Sequence, residues 1–337
     1  MVSLRVYIVT RLALTVPMIF ILLTLVFVIM RILPGDPVLA IVGMKAPPEQ
    51  IERLRKELGL DKPLWQQYLD YVLGILRGDL GRSMIWGRRP VIKELWDRFP
   101  ATLELSIAGF AVSVAIGLLT GVHAAVKPGT RTDVALRVFS IVAYSLFIPL
   151  LGMLLQLIFG VYLKLFPVAG RKSPLIDVPN ITGLYLVDSI LAGSVEGVID
   201  ALQHLALPAL TLGLVLSGVY TRLVRSSMLD VLGEDFIRAL RARGIPEGRV
   251  VYVHALKNAF IPILTMMGLQ FALLLAGAVL TETTFSWPGI GTFLMERIEY
   301  RDYTTVQGTI VFYAVLVALV SLLVDIVYAY IDPRIRY

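Results

Sequence analysis

Six stretches of this chain carry no Asp, Glu, Lys or Arg and are long enough to cross a bilayer: 12–30, 105–126, 138–163, 201–221, 258–281 and 303–324. About 20 residues at a rise of 1.5 Å each cross a hydrocarbon core of about 30 Å. Within hydrocarbon the backbone must satisfy its own hydrogen bonds. Segments of this length are therefore expected as helices, not as the shorter, alternating strands of a barrel. The expected fold class is an all-α polytopic membrane protein with six transmembrane helices. Composition agrees: 57% of the 337 residues are apolar and 17% are charged, against roughly 25% charged in an ordinary soluble domain.

The first run follows Arg5 and Arg11, as a signal peptide would, but it is longer than a signal's apolar core. Arg31, Leu33 and Pro34 stand where small residues would mark a cleavage site. It is expected to remain as a helix. Orientation follows from Lys and Arg in the short loops. With the N-terminus in the cytoplasm, the cytoplasmic segments hold 14 of these cations and the short outer loops hold 5. The segment 31–100 holds 12 more, but a loop of that length crosses largely regardless of its charge. Both termini are expected inside, and the formal charge of +6 is read as a loop bias and not as a nucleic-acid footprint.

The organisation expected is an N-terminal segment with helix 1 at 1–30 and an extracytoplasmic loop domain at 31–100. A core at 101–331 follows, with helices 2–6 and a cytoplasmic loop at 230–257, and then a short cytoplasmic tail at 332–337. The large loop has its own helical periodicity. Ile51, Leu54 and Leu58 share a face that Gly59 ends. Asp61 and Pro63 read as a cap and first turn, and Leu64, Tyr68, Val72 and Ile75 form the next apolar face, up to Gly78. A lid packed on the membrane part and a docking surface for an external partner both fit this pattern.

The chain has no cysteine and three histidines, His123, His204 and His254, so no thiolate or histidine-rich metal centre is expected. It lacks G-x-x-x-x-G-K-[ST], H-E-x-x-H and G-x-S-x-G. No catalytic, cofactor or metal site is therefore expected, and uphill transport would draw its energy from another subunit. The runs are free of the carboxylates that gradient-driven carriers usually place in the membrane. A self-sufficient carrier or channel, and an intramembrane enzyme, are the competing readings. Gln156 and Gln270 are mid-helix polar residues, candidates for pathway lining or for inter-helix hydrogen bonds. Gly117 and Gly121 form a short G-x-x-x-G.

The longest cytoplasmic insert carries the most information. Glu234 and Asp235 stand where a helix N-terminus favours negative charge, and Arg241 and Arg243 lie near its C-terminus. Gly244 is a natural helix stop and Pro246 prevents continuation. A second short amphipathic piece, 249–256, follows. Such a pair of short helices fits an interfacial position on lipid phosphates and also a knob for a cytoplasmic partner.

The string Arg238-Ala239-Leu240, with Gly244 and then His254-Ala255-Leu256, resembles the EAA loop of ABC importer permeases. Arg238 replaces the leading Glu of the general motif. The stretch from Phe236 to Thr265 is similar to the dipeptide/oligopeptide/nickel branch, and other strings agree in order. These are Leu33-Pro34-Gly35-Asp36-Pro37, Gly78-Asp79-Leu80-Gly81-Arg82-Ser83, Thr102-Leu103-Glu104-Leu105, Phe285-Ser286-Trp287-Pro288-Gly289-Ile290-Gly291, Arg301-Asp302-Tyr303 and Val306-Gln307-Gly308. The whole chain resembles the B-type permease subunit of peptide importers.

The resemblance implies the type I ABC importer permease fold in the cell membrane. It also implies a second homologous permease subunit, two P-loop ATPase subunits that hold ATP and Mg, and an extracytoplasmic solute-binding protein. It places coupling to an ATPase subunit on Phe236, Arg238, Ala239, Leu240, Arg241, Arg243 and Gly244. Trp287, Pro288 and Gly289 would form an outer turn, either a rigid re-entry turn or a gate. Peptide is the expected cargo, with oligosaccharide or nickel as alternatives.

Overall fold

The structure is a computed structural model that describes residues 4–32, 38, 47–57, 59–85 and 87–331. The string at 33–37 and the tail at 332–337 lie outside the described residues. Among the described residues no β-strand forms, and one isolated bridge pairs Arg82 with Pro90. The helices are α1 (Leu4–Ile32), α2 (Pro48–Glu57), α3 (Leu64–Leu76), α4 (Val91–Val126), α5 (Arg131–Ser145) and α6 (Ile148–Leu155), which continues as a π-helical turn, Gln156–Tyr162. Then come α7 (Tyr185–Leu191), α8 (Val195–Leu232), α9 (Asp235–Ala242), α10 (Leu256–Gly277), α11 (Val279–Thr284), α12 (Ile290–Glu299) and α13 (Tyr303–Ile331).

Among the described residues, five helical segments are long and apolar enough to cross a membrane: Ala13–Arg31, Val91–Val126, Val195–Leu232, Glu247–Leu275 and Tyr303–Val324. The run 138–163, expected as one helix, is instead divided between α5 and α6, which meet at 102°. Leu146 and Phe147 are both extended (ψ 132° and 118°) and Pro149 occupies the first turn of α6. A proline is well tolerated there but would break an uninterrupted helix. The absence of charge therefore marked the apolar segment correctly and missed its bend. Counting the bent pair as one span gives six.

α4 and α8 are the longest helices and pack along each other at the centre. A Cβ at Gly117 would collide with the side chain of Tyr220, and one at Gly121 would lie 2.6 Å from Val224 Cβ. The G-x-x-x-G thus sits where the two backbones approach too closely for any side chain. Beside it Thr120 and Thr221 share a hydrogen bond of 2.7 Å between their hydroxyls. α10 and α13 pack against this pair, and α1 packs chiefly on α13.

The expected boundary at 100 is not a helix start. α4 begins at Val91 and runs through Pro100. Val91 and Leu95 are fully buried against Ile290 and Phe293 of α12 and Tyr313 of α13. Burial of this first apolar stripe offsets the hydrogen bond that Pro100 cannot make. In the preceding segment, Gly59 and Gly78 adopt left-handed φ of +65° and +77° after α2 and α3, as expected of helix stops. Pro63, not Asp61, is the residue that caps α3, and no side chain bonds to its first turn.

Candidate functional site

The segment 233–250 projects beyond the ends of α4 and α8. α9 is short but firmly held. Ile237 is fully buried in a cluster with Val122 and Ala125 of α4, Val224 and Met228 of α8, and Val250, Val251, Ala255, Ala259 and Ile263. Leu240 packs partly buried on the same cluster. The spacing 237/240 is one turn of one helical face, which identifies the anchor. Sequence reasoning missed Ile237, and Leu240, taken there as a coupling residue, faces inward beside it because that apolar face must be buried.

The rest of α9 and the turn after it are exposed. Phe236, Arg238, Ala239, Arg241, Arg243 and Gly244 all lie on the surface. Arg238 forms a 3.3 Å ion pair with Asp235 and donates to the Gly233 carbonyl, and most of its guanidinium still meets solvent. Arg241 holds Glu247 with both nitrogens, at 3.1 and 2.6 Å, across the turn that follows α9. Gly244 makes that turn with φ +73°. Its N–H reaches the Arg241 carbonyl at 2.9 Å and the next N–H reaches that of Leu240 at 3.3 Å. This closes the helix as its left-handed glycine stop predicts. A Cβ at Gly244 would meet nothing within 4 Å.

The expected second amphipathic helix is not a separate element. After the single turn Glu247–Arg249, the chain forms a π-helical segment, Val250–Ala255, that runs directly into α10. Burial of Val250, Val251 and Ala255 on the Ile237 cluster draws it into the long helix. α8 and α10 therefore flank α9 as rigid supports. At the same end, Arg225 of α8 grips Asp133 of α5 through two hydrogen bonds of 2.7 and 2.9 Å.

The outer-turn residues gather at the other end of the bundle. Trp287 is buried with Ala101, Leu105, Leu205, Leu212 and Leu274, and its indole N–H donates to the Ala101 carbonyl at 2.8 Å. Gly289 lies against the buried carboxylate of Glu282, where a Cβ would collide. That carboxylate accepts from Gly291 N and Thr292 N at 2.7 and 3.1 Å and from the Thr102 hydroxyl at 2.7 Å. It thus caps the N-terminus of α12 and ties α11, α12 and α4 together. Of the three, only Pro288 is exposed. Thr102 stands in one of the family-like strings, but nothing in the sequence pairs it with Glu282 without the fold.

A second tie holds the segment between α6 and α7. Arg171 meets Glu104 at 2.6 Å and Leu186 N donates to the same carboxylate. Asp188 accepts from Ile181 N, Thr182 N and Oγ1, and Gly183 N. Burial alone would raise the Asp188 carboxyl, but these donors outweigh it and hold its pKa below the ordinary carboxylate value. Tyr185 is pushed up to about 12 by burial and by its hydrogen bond to Asp200. His204 is buried against Asp200.

Gln156 is half-buried, and its amide donates to the Val168 and Thr284 carbonyls at 2.7 and 3.0 Å. In the π turn those carbonyls are the partners within reach. Gln270 is half-buried on α10, beside Phe271, which stacks edge-on to Phe110 at 5.2 Å. No group of three or more His, Cys, Asp or Glu able to hold a metal occurs among the described residues.

Two family models divide the chain. Residues 4–106 match the N-terminal part of binding-protein-dependent transport system membrane components, and residues 113–337 match the inner membrane component itself. This chain belongs to that family. It is similar over 98% of both chains to the dipeptide transport system permease protein DppB of Escherichia coli K12, at 44% identity. The di/tripeptide permease DppB of Pseudomonas aeruginosa is 46% identical, again over 98% of each chain. The glutathione transport system permease protein GsiC of Escherichia coli O6:H1 is 39% identical over 98% of this chain and 99% of its own. A solved structure of the MetNI methionine ABC transporter in inward-facing conformations matches 72% of this chain and 96% of its own at 17% identity, with a TM-score of 0.49. The protein is thus a multi-pass inner membrane permease subunit of an ABC importer. It is not an enzyme, and it works with partner ATPase and binding proteins.

Proposed function

We propose that this chain forms one half of the pathway of an ATP-driven peptide importer, and that α9 is the part its ATPase partner moves. The observation that carries the reading is the two-faced build of α9: Ile237 locks it to α4, α8 and α10, while Phe236, Arg238, Ala239, Arg241, Arg243 and Gly244 face outward. A helix so held transmits displacement as a rigid body to the long helices on either side. ATP binding to the partner subunits supplies the bias between two states of the pathway. The peptide assignment is supported by the relatives, whose names specify dipeptide and di/tripeptide transport.

In this reading the complete assembly holds a second, homologous permease, two P-loop ATPase subunits that bind ATP and Mg, and an extracytoplasmic binding protein. Six spans cross the membrane, with α5 and the α6 segment forming the third. Both termini and α9 lie in the cytoplasm, and the segment 31–100 lies outside. Phe236 supplies an apolar contact and the arginines pair with carboxylates of the ATPase. Trp287 and Gly289 keep the outer turn rigid.

The test is purification of the tagged chain from its own host in mild detergent, with identification of co-purifying proteins, ATPase assay, and uptake of labelled dialanine into vesicles. A second permease, two P-loop subunits and ATP-dependent uptake are expected. A chain that purifies alone, without ATPase activity, would overturn the reading.

A further inference from the structure

Helix α3 belongs to the segment 31–100, yet it does not stand clear of the membrane part. Tyr68 donates to or accepts from Thr24 of α1 through their hydroxyls at 2.6 Å. Its ring packs against Phe20 and Phe27 at 6.2 and 5.3 Å, and Tyr71 lies against Phe27 at 5.6 Å. Tyr71 and Ile75 also pack on Leu23, Val26 and Val311. The α1 residues they touch are deep within its apolar run. The first cation past that run is Arg31, whose guanidinium lies over the Phe27 ring at 5.2 Å. At 1.5 Å per residue, Thr24 is about 10 Å inside Arg31 and Phe20 about 16 Å inside it.

An α3 that touches α1 at this depth cannot keep its other faces in open water. Its sequence divides the circumference into three. Tyr68, Tyr71 and Ile75 point to α1 and α13. Gln66, Gln67 and Asp70 form a polar strip, with Asp70 paired to Lys62 at 2.7 Å. Between them lies an apolar stripe at i, i+4, i+8 and i+11, namely Trp65, Leu69, Leu73 and Leu76, whose side chains are 47% to 76% exposed. On α1, too, apolar side chains such as Phe20, Ile21 and Leu25 are exposed, as expected of a membrane-spanning helix.

We propose that α3 lies in the bilayer leaflet on the side of the 31–100 segment, with Trp65, Leu69, Leu73 and Leu76 inserted among acyl chains. The occupant of this face is lipid and not a protein. Helix α3 packs through Tyr68 on Phe20, which is itself exposed on α1, its contacts sit at the depth of Thr24 and Phe20, and the stripe offers no charged side chain to a soluble partner. The polar strip faces water or the neighbouring part of its own segment. Helix α3 thus behaves as a wedge that fixes the tilt of α1 against α13.

The chain has no cysteine, so each single-cysteine variant gives this chain one labelling site, and the transporter without the variant gives the background. L69C, L73C and D70C are nitroxide-labelled in the assembled transporter in phospholipid vesicles, and collision with dissolved oxygen is compared with collision with a water-soluble nickel chelate. The labels at 69 and 73 are expected to favour oxygen several-fold over the chelate, with the reverse at 70. As a measurement on the unaltered chain, vesicles containing a phospholipid with a photoactivatable diazirine on its acyl chain are irradiated and adducts are mapped. Adducts on 65–76 as well as on α1 are expected. Chelate preference at 69 and 73, protection from both reagents by a protein covering the stripe, or adducts on α1 with none on α3 would each overturn the proposal.

Discussion

Ser83 donates its hydroxyl to Asp302 at 2.5 Å although the two residues are 219 positions apart. The same carboxylate accepts from Met84 N at 3.1 Å and from the Thr305 hydroxyl at 2.7 Å. Ser83 and Asp302 are both buried, so one carboxylate fastens the end of the 31–100 segment to the start of α13. Asp302→Ala should leave these donors unpaired and destabilise the protein by about 2 kcal/mol. Ser83→Ala should cost less, because Asp302 keeps its other donors. Thermal unfolding of the purified chain in detergent checks the order, and equal loss in both variants would refute it.

Two neighbours on α9 should respond oppositely. Ile237→Ala removes a fully buried side chain and is expected to cost about 3 kcal/mol, seen as a lower unfolding temperature. Phe236→Ala removes an exposed ring and should leave that temperature nearly unchanged, while lowering substrate-stimulated ATPase activity in the assembly. A stability loss at Phe236 matching that at Ile237 would contradict the two-faced build.

Gly244 separates local strain from docking. Its φ of +73° disfavours any side chain with a Cβ, by about 1 kcal/mol for an ordinary residue and less for Asn. The space around it is open within the chain. Gly244→Asn should therefore retain most transport. Gly244→Glu should insert normally and lose transport, because its added charge meets the ATPase surface. Uptake and membrane abundance measured together distinguish the two, and near-normal uptake by Gly244→Glu would count against docking there.

The Asp188 carboxyl lies below its ordinary value when folded, so its sign is set. A depressed carboxylate contributes stability above the unfolded pKa of about 3.9, and that stability is lost as pH falls through the lower folded value. Amides of Ile181, Thr182 and Gly183 should keep their hydrogen-exchange protection down to about pH 4 and lose it below. Asp188→Asn should weaken protection at neutral pH and flatten the acid dependence.

Much of the architecture was legible because its cause is local. A run without charge is committed to hydrocarbon wherever it lies, so the apolar segments could be placed from residue type alone. Gly59, Gly78 and Gly244 marked helix ends because their backbone conformation is set by neighbours a few residues away. The ordered strings carried the family. Burial and pairing between distant segments were not legible. Nothing near Gln156 indicates that its amide would meet Thr284, and nothing near Leu240 separates an inward apolar residue from an outward one until Val224 and Val250 arrive beside it. The bend at 146–147, the start of α4 at Val91 and the Glu282 cap follow from the same cause. Each exchanges a local cost for contacts with residues tens or hundreds of positions away. Sequence by itself determined which segments leave water and which glycines stop α2, α3 and α9. The tertiary structure alone decided which face of each helix turns inward and which carboxylates bind the ends together, because those energies depend on atoms that only folding brings within reach.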